Sequence, residues 1–323
     1  MNELIKRDPG ALATVSESVK RYVRQSKAHN TVRTYKAAWR EFENFAQARG
    51  VAALPASAET VAEYLAALAD NGAKVSTVEV KLAAIAWRHR GAKATDPTVF
   101  ELVKGTMAGI RRELRVAPVK KEPATLSEVK AMVATLPKTA KGKRDKALLL
   151  VGFAGAFRRS ELVALDVSDL RFADDVLTIT IRKSKTDQEG QGKVKMIPQI
   201  DDFEVCPMGA LLDWLDVADI RSGPVFRRMD RHGNIHQARL SSQSVALVVK
   251  RAAKRAGLDW RAYSGHSLRS GFVTEAKAKG VDNTDIMDQT GHETARMIRE
   301  YDHSNAGAVR AARAVFESEP ANV

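Results

Sequence analysis

Residues 115–128 read RVAPVKKEPATLSE, and this stretch constrains the fold of the chain more than any other. Pro118 and Pro123 each fix φ and remove a backbone donor, and each pushes the residue before it towards extended backbone. Arg115, Lys120 and Lys121 add positive charge, and no apolar period of 2 or 3.6 runs through the segment. With 323 residues and 44% hydrophobic content there is material for two cores on either side of such a break. The expected organisation is a helical unit over residues 14–112, a linker over residues 113–124 and a second unit over residues 125–323.

Helical spacing dominates the first unit. Val19/Tyr22/Val23, Val32/Tyr35/Trp39/Phe42, Val61/Tyr64/Leu65/Leu68 and Val78/Leu82/Ile85 each mark one apolar face. Thr31, Ser57 and Ser76 stand where N-caps are expected, and Gly50, Gly72 and Gly91 where helices should stop. The second unit opens on TLSEVKAMVATL, with Thr125 or Ser127 as cap, continues into the apolar run over residues 147–157, and restarts a helix near Ser160. Two strands are expected, VLTITIRK over residues 176–183 and KVKMIP over residues 193–198, paired antiparallel across a glycine-containing turn. The remainder reads as helix to the end of the chain.

Lys and Arg number 52 against 39 Asp and Glu, a formal net charge of +13 with a pI near 9.8. Such an excess points to a polyanionic partner, nucleic acid first and a membrane surface second. The single cysteine, Cys206, excludes an internal disulfide and a Cys-rich zinc site, favours a reducing compartment, and reads as a small buried apolar residue. The N-terminal MNELIKRDPG lacks the apolar stretch of a signal peptide, and the longest apolar run is too short to span a bilayer, so a cytoplasmic protein is expected.

Several polar residues fall outside the apolar pattern. In YSGHSLRSGF, His266 and Arg269 lie three apart, on one face if helical, where imidazole and guanidinium can converge on an anion. A helix start facing water would carry the same letters. Arg158, Arg159 and Glu161 follow the apolar run; Lys185 sits in the hairpin turn, where lysines are usually only solubilising; His292 follows a Thr-Gly break, and Tyr301 comes nine residues later at core spacing. His266, His292 and His303 match no compact zinc motif, and no carboxylate or cysteine completes them.

In combination the pieces are far more specific. The stretches AFRRSEL, RKSKTD, GHSLRSG and QTGHETARMIREY, in this order and with this final interval, resemble the tyrosine site-specific recombinases over residues 125–316. The resemblance implies a mostly α fold: an all-helical, SAM-like core-binding domain over residues 14–112 and an α+β catalytic domain with a small antiparallel sheet. It implies catalytic residues Arg158, Lys185, His266, Arg269, His292 and Tyr301, with Glu161 as an orienting neighbour. Arg158 and Arg269 would clamp a DNA phosphate, His266 would assist deprotonation of the nucleophile, and Lys185 would protonate the leaving 5′-oxygen. His292 would donate to the phosphate, and Tyr301 would form a 3′-phosphotyrosine. No metal or other cofactor is implied. Tyr263, ahead of the His-x-x-Arg motif, is read as structural.

For DNA binding the expected residues are Arg33, Lys36 and Arg40 on one helix, Thr77 and Lys81 on another, and Arg111, Arg112, Lys120 and Lys121 around the linker. The resemblance also implies that the two units clamp a duplex recombination site, and that a helix over residues 306–317 docks into a neighbouring protomer of a cyclic tetramer. The helical unit begins near residue 14, so a Cre- or Xer-like architecture is expected, without a separate arm-binding domain. A type IB topoisomerase, a telomere resolvase or a catalytically silent DNA-binding protein are the alternatives.

Overall fold

The computed structural model describes residues 18, 21, 22, 29–114, 121–173, 175–182 and 192–294. Lys120, Lys185, Tyr301, His303 and the expected helix over residues 306–317 lie outside the described residues, as does most of the chain before residue 29. The chain divides into two compact units, residues 1–118 and 119–323.

In the first unit α1 (His29–Ala48), α2 (Ala58–Asp70), α3 (Val75–Gly91) and α4 (Glu101–Glu113) surround one core. Helix α1 buries Ala38, Trp39, Phe42 and Ala46, a stripe at spacings of three and four. The Phe42 ring meets Tyr64 of α2 edge-on at 5.1 Å, and Val78, Ile85, Val103, Met107 and Ile110 close the core. His89 is wholly buried: Nε2 accepts from Ala56 N at 2.9 Å, so the proton sits on Nδ1 and is donated to Ile85 O. Ser57 caps α2 by accepting from Thr60 N. Thr31 and Ser76 are not caps. Helix α1 already runs from His29, and α3 begins at Val75 behind Lys74, which makes no side-chain cap.

In the second unit α5 (Leu126–Ala134), α6 (Ala140–Ala154), α8 (Pro207–Val217), α9 (Ser242–Arg255) and α10 (Ser267–Ala278) build the core with a three-stranded sheet; short helices α7 (Arg159–Ala164) and α11 (Asn283–Thr290) complete the set. Thr125, not Ser127, opens α5, in a reciprocal capping box with Glu128. Strands β1 (Leu170–Ala173), β2 (Val176–Ile181) and β3 (Lys193–Pro198) pair antiparallel in that order, with Ile179 opposite Lys195 and Ile181 opposite Lys193. The chain beyond β3 is not all helical, because β4 (Arg227–Met229) and β5 (Ile235–Arg239) form a second, two-stranded antiparallel sheet. Cys206 is buried, its sulfur accepting from Gly209 N at the start of α8.

Residues 121–126 are strapped to the second unit. Glu122 N donates to Ala262 O, Ala124 N to Ser267 O, and Leu126 N to the Glu275 carboxylate. Tyr263 OH donates to Glu128 Oε1 at 2.6 Å, which makes this tyrosine a strut between α5 and the start of α10. Among the described residues no helix is long and apolar enough to cross a membrane.

Candidate active site

The site grows from the C-terminal end of α6. After Gly155 the chain turns through Ala156, whose φ of 45° lies in the left-handed region, a conformation costing about 1–3 kcal/mol for a residue with a Cβ. The turn buries Phe157 and delivers Arg158 to the start of α7. Glu161, 3% exposed, receives Arg158 twice: Oε2 accepts from its backbone N at 3.0 Å and Oε1 from Nη1 at 2.7 Å. Glu161 thus orients Arg158 and offsets its charge.

Arg269 lies in the first turn of α10 and is 1% exposed. Its Nη1 donates to Ala156 O at 2.8 Å and to Thr290 O at 2.6 Å, joining the turn before Arg158 to the end of α11. Gly271, two residues on, is required there: a Cβ would stand 1.7 Å from Ala124 O. His266 occupies the cap position of α10 and remains exposed. Its surroundings hold its pKa below 6.5, first by desolvation and then by the charges of Arg269, Arg158 and Arg159.

His292 is buried, two residues past α11, beyond the left-handed turn at Gly291 with φ 70°. The Thr290 hydroxyl donates to Ile286 O at 2.6 Å and so accepts from Nδ1–H of His292 at 2.9 Å. Desolvation, then Arg269, Arg158, His266 and Lys195, push the His292 pKa down to about 3. The imidazole is therefore neutral at physiological pH, with its tautomer set by Thr290.

The structure thus brings Arg158, Glu161, His266, Arg269 and His292 to one place, with mutual electrostatic influence. It also brings a residue that sequence reasoning missed. Lys195, on β3, is 3% exposed, and its pKa falls from 10.5 to about 7, through desolvation first and then Arg269, with Glu161 acting in the opposite sense. The available signal was the parity of KVKMIP: the strand buries Lys195 with Ile197 and turns Val194 and Met196 outward. What the cluster can do chemically follows from its charge. Among the described residues Arg158, Arg269 and Lys195 bring several cations together beside Glu161, an arrangement suited to an anion with several acceptor oxygens. Among the described residues no group of side chains suits a metal ion.

In the first unit Arg33, Lys36, Arg40 and Thr77 are exposed, and so is Arg112. Others are engaged within the chain: Lys81 pairs with Glu41, Arg111 with Glu79 at 2.9 Å, and in the second unit Lys121 donates to Arg261 O.

Residues 124–307 match the phage integrase family, and residues 19–94 match the phage integrase N-terminal SAM-like domain. An integrase/recombinase XerD homologue of Selenomonas ruminantium is 41% identical over 292 residues, covering 89% of this chain and 85% of the relative. Among solved structures, XerH recombinase bound to palindromic difH in a post-cleavage complex superposes with a TM-score of 0.61 at 17% identity, over 85% of this chain and 76% of that one. The Tn1549 transposon integrase in complex with transposon right-end DNA superposes at 0.62 with 15% identity, over 93% and 98%. The fold is thus that of the DNA-strand-exchanging recombinases. The chain belongs to the phage integrase family and is a tyrosine recombinase.

Proposed function

We propose that this recombinase acts as a cyclic tetramer on two duplex DNA sites, cutting and rejoining strands through a 3′-phosphotyrosyl intermediate and a Holliday junction. The observation that carries the proposal is the clustering of Arg158, His266, Arg269 and His292, with Arg158 held by the buried Glu161 carboxylate, in a chain of net charge +13. Arg158 and Arg269 bind the nonbridging oxygens of the scissile phosphate and stabilise the charge that builds on them. One such preorganised donor is worth about 10²- to 10³-fold in rate. His266, accessible and with a lowered pKa, takes the proton of the tyrosine hydroxyl as it attacks. His292 holds another phosphate oxygen, which requires a proton on Nε2, and the approaching negative charge supplies the reason for that proton to bind.

Tyr301 is the nucleophile in this reading and Lys185 the acid that protonates the departing 5′-oxygen. The tyrosyl phosphodiester conserves the energy of the broken bond, so a 5′-hydroxyl of the partner strand reverses the step without an added cofactor. Arg33, Lys36, Arg40 and Thr77, with Arg112, Lys120 and the engaged Lys81, Arg111 and Lys121, make the DNA contacts; the last three exchange their partners for phosphate or base edges on binding. The helix over residues 306–317 docks into a neighbouring protomer and closes the ring.

The test is a nicked duplex that traps the covalent step, built on a sequence selected by this protein from a random duplex pool. The expected adduct, digested to peptides, carries DNA on Tyr301, forms in EDTA, and is lost in Tyr301→Phe while binding persists. DNA on a peptide containing Tyr263 overturns the assignment. Relaxation of supercoils without pairing of two sites overturns the recombination reading in favour of a topoisomerase.

A further inference from the structure

Helix α11 ends in the site, and its end is held by an unusual set of groups. The last carbonyls of any helix lack intrahelical donors and must find others. Here Met287 O receives Gly291 N, Thr290 O receives Arg269 Nη1, and Gln289 O receives the ammonium of Lys195. The Gln289 side chain closes the arrangement, Nε2 donating to Ala154 O at 2.8 Å and to Met196 O at 3.1 Å. Two cations therefore grip successive carbonyls at the negative end of α11, immediately before Gly291 and His292. Lys195 is committed to this junction: it is 3% exposed, its Nζ lies 5.2 Å from the centre of the Phe157 ring, and its hydrogen bond runs to Gln289 O.

We propose that Lys195 is a positioning residue for strand cleavage: from β3 it caps the end of α11 and thereby fixes the orientation of His292 towards the scissile phosphate. The inference rests on the strand-transfer reading of the site and adds to it a residue outside the expected catalytic set. The geometry explains why a lysine occupies an inward position on a strand whose neighbour Ile197 is apolar. A methionine of similar length would fill the volume without a donor for Gln289 O. The lost register at the end of α11 would reach His292 through Thr290, whose hydroxyl and carbonyl are both part of the same junction. The cationic form is costly in this place, since it is desolvated with Arg158, Arg269 and Lys193 near, and Glu161 offsets part of that cost. Retaining it is consistent with a role in the reaction rather than in stability.

The experiment measures single-turnover cleavage of the nicked duplex described above, with an ordinary scissile phosphodiester and with sulfur in place of the leaving 5′-oxygen, for Lys195→Met, Lys195→Gln and Lys195→Arg, alone and combined with His292→Ala. Lys195→Met should slow cleavage by about 10²-fold at unchanged half-site affinity, a loss typical of small misplacement of a reacting group. Lys195→Arg and, more weakly, Lys195→Gln should recover rate because each can donate to Gln289 O. In the His292→Ala background Lys195→Met should cost no more than about twofold, because a residue acting through His292 has nothing left to position. The full defect persisting in that background overturns the proposal, as does recovery of Lys195→Met on the sulfur substrate, which would make Lys195 a proton donor. If Lys195→Met does not fold, the comparison of Lys195→Gln with Lys195→Arg in both backgrounds decides by the same criteria. Absence of cleavage by the wild-type chain overturns the strand-transfer reading, whereas normal cleavage by wild type and Lys195→Met alike overturns only the role of Lys195.

Discussion

Thr290 has one hydroxyl hydrogen and two claims on its oxygen, and that shortage sets the state of His292. With the hydrogen given to Ile286 O, the imidazole must carry its proton on Nδ1. Thr290→Val removes this instruction while keeping the shape of the side chain. The expected result is a cleavage rate lower by about 10²-fold with half-site binding intact, and recovery in Thr290→Ser, measured by single-turnover kinetics. Lys195 makes a separate prediction about pH. Arg158 ahead of α7, Glu161 of α7, Arg269 of α10, Lys193 of its own strand, Asp288 of α11 and His292 just beyond it surround Lys195. A folded pKa near 7 against 10.5 in the unfolded chain means that between these values the unfolded state binds more protons. Stability from this group therefore rises as pH rises from about 7 towards 10, and below 7 its desolvation cost is present in full. Urea unfolding of the DNA-free protein between pH 7 and 9.5 should show wild type gaining on Lys195→Met with increasing pH. A constant or shrinking difference would contradict the burial of a titrating lysine. In the proposed reading a DNA phosphate offsets the crowding of these cations, so DNA binding should narrow the same difference.

At the scale of elements, the contrast between two helical glycines tests how α10, which carries Arg269, is seated. Gly271 of α10 admits the backbone of Ala124, whereas Gly109 of α4 has nothing within 4 Å of an added Cβ. Gly271→Ala should destabilise the second unit by about 1–3 kcal/mol through overpacking. Gly109→Ala should stabilise the first by about 0.5–1 kcal/mol through helix propensity. Denaturant midpoints at unchanged slope are the measurement. The same local chemistry decided what could be read beforehand. Ser57 and Thr125 were legible as caps because a hydroxyl at that position answers an orphan donor, and the β2–β3 hairpin because its strands alternate or carry β-branched residues. Ser76 misled because Lys74 precedes the helix without any side-chain cap. The short strands β1 and β4–β5 were missed: LRFA is too brief to alternate, RRM and IHQAR are dominated by polar residues, and β4 contributes only three residues. Arg158, His266, Arg269 and His292 were readable as a set because each motif is contiguous. Lys195, Thr290 and Ala156 were not, since their roles depend on which carbonyl or hydroxyl a distant element presents.

For the molecule as a whole, the decisive feature is that the two cores share no residue. Trp39, Phe42, Tyr64, Leu65 and Ile85 belong to one, and Leu148, Leu162, Trp214, Val249 and Leu268 to the other, with the division of the chain falling after residue 118. Residues 121–126 belong energetically to the second unit, where they bond to the loop before α10 and to α10 itself. A cut between residues 118 and 119 should therefore leave fragment 119–323 with its complete core and its strap, and it should unfold cooperatively by thermal circular dichroism. Its function should suffer for an electrostatic reason. The exposed cations Arg33, Lys36, Arg40 and Arg112 lie in the part removed, so fewer counterions would be released from the duplex on binding. For a chain that neutralises 6–10 phosphates, affinity falls by about 10³- to 10⁵-fold between 50 and 200 mM salt, with a log–log slope near −0.9 per phosphate. The full chain should show such a slope in fluorescence anisotropy with duplex DNA. The fragment should show a slope shallower by several units, weaker binding at low salt, and the two affinities converging as salt rises. Equal slopes for the two proteins would mean that the first unit contributes no phosphate contacts, and the basic face of α1 would then be a solvated surface and nothing more.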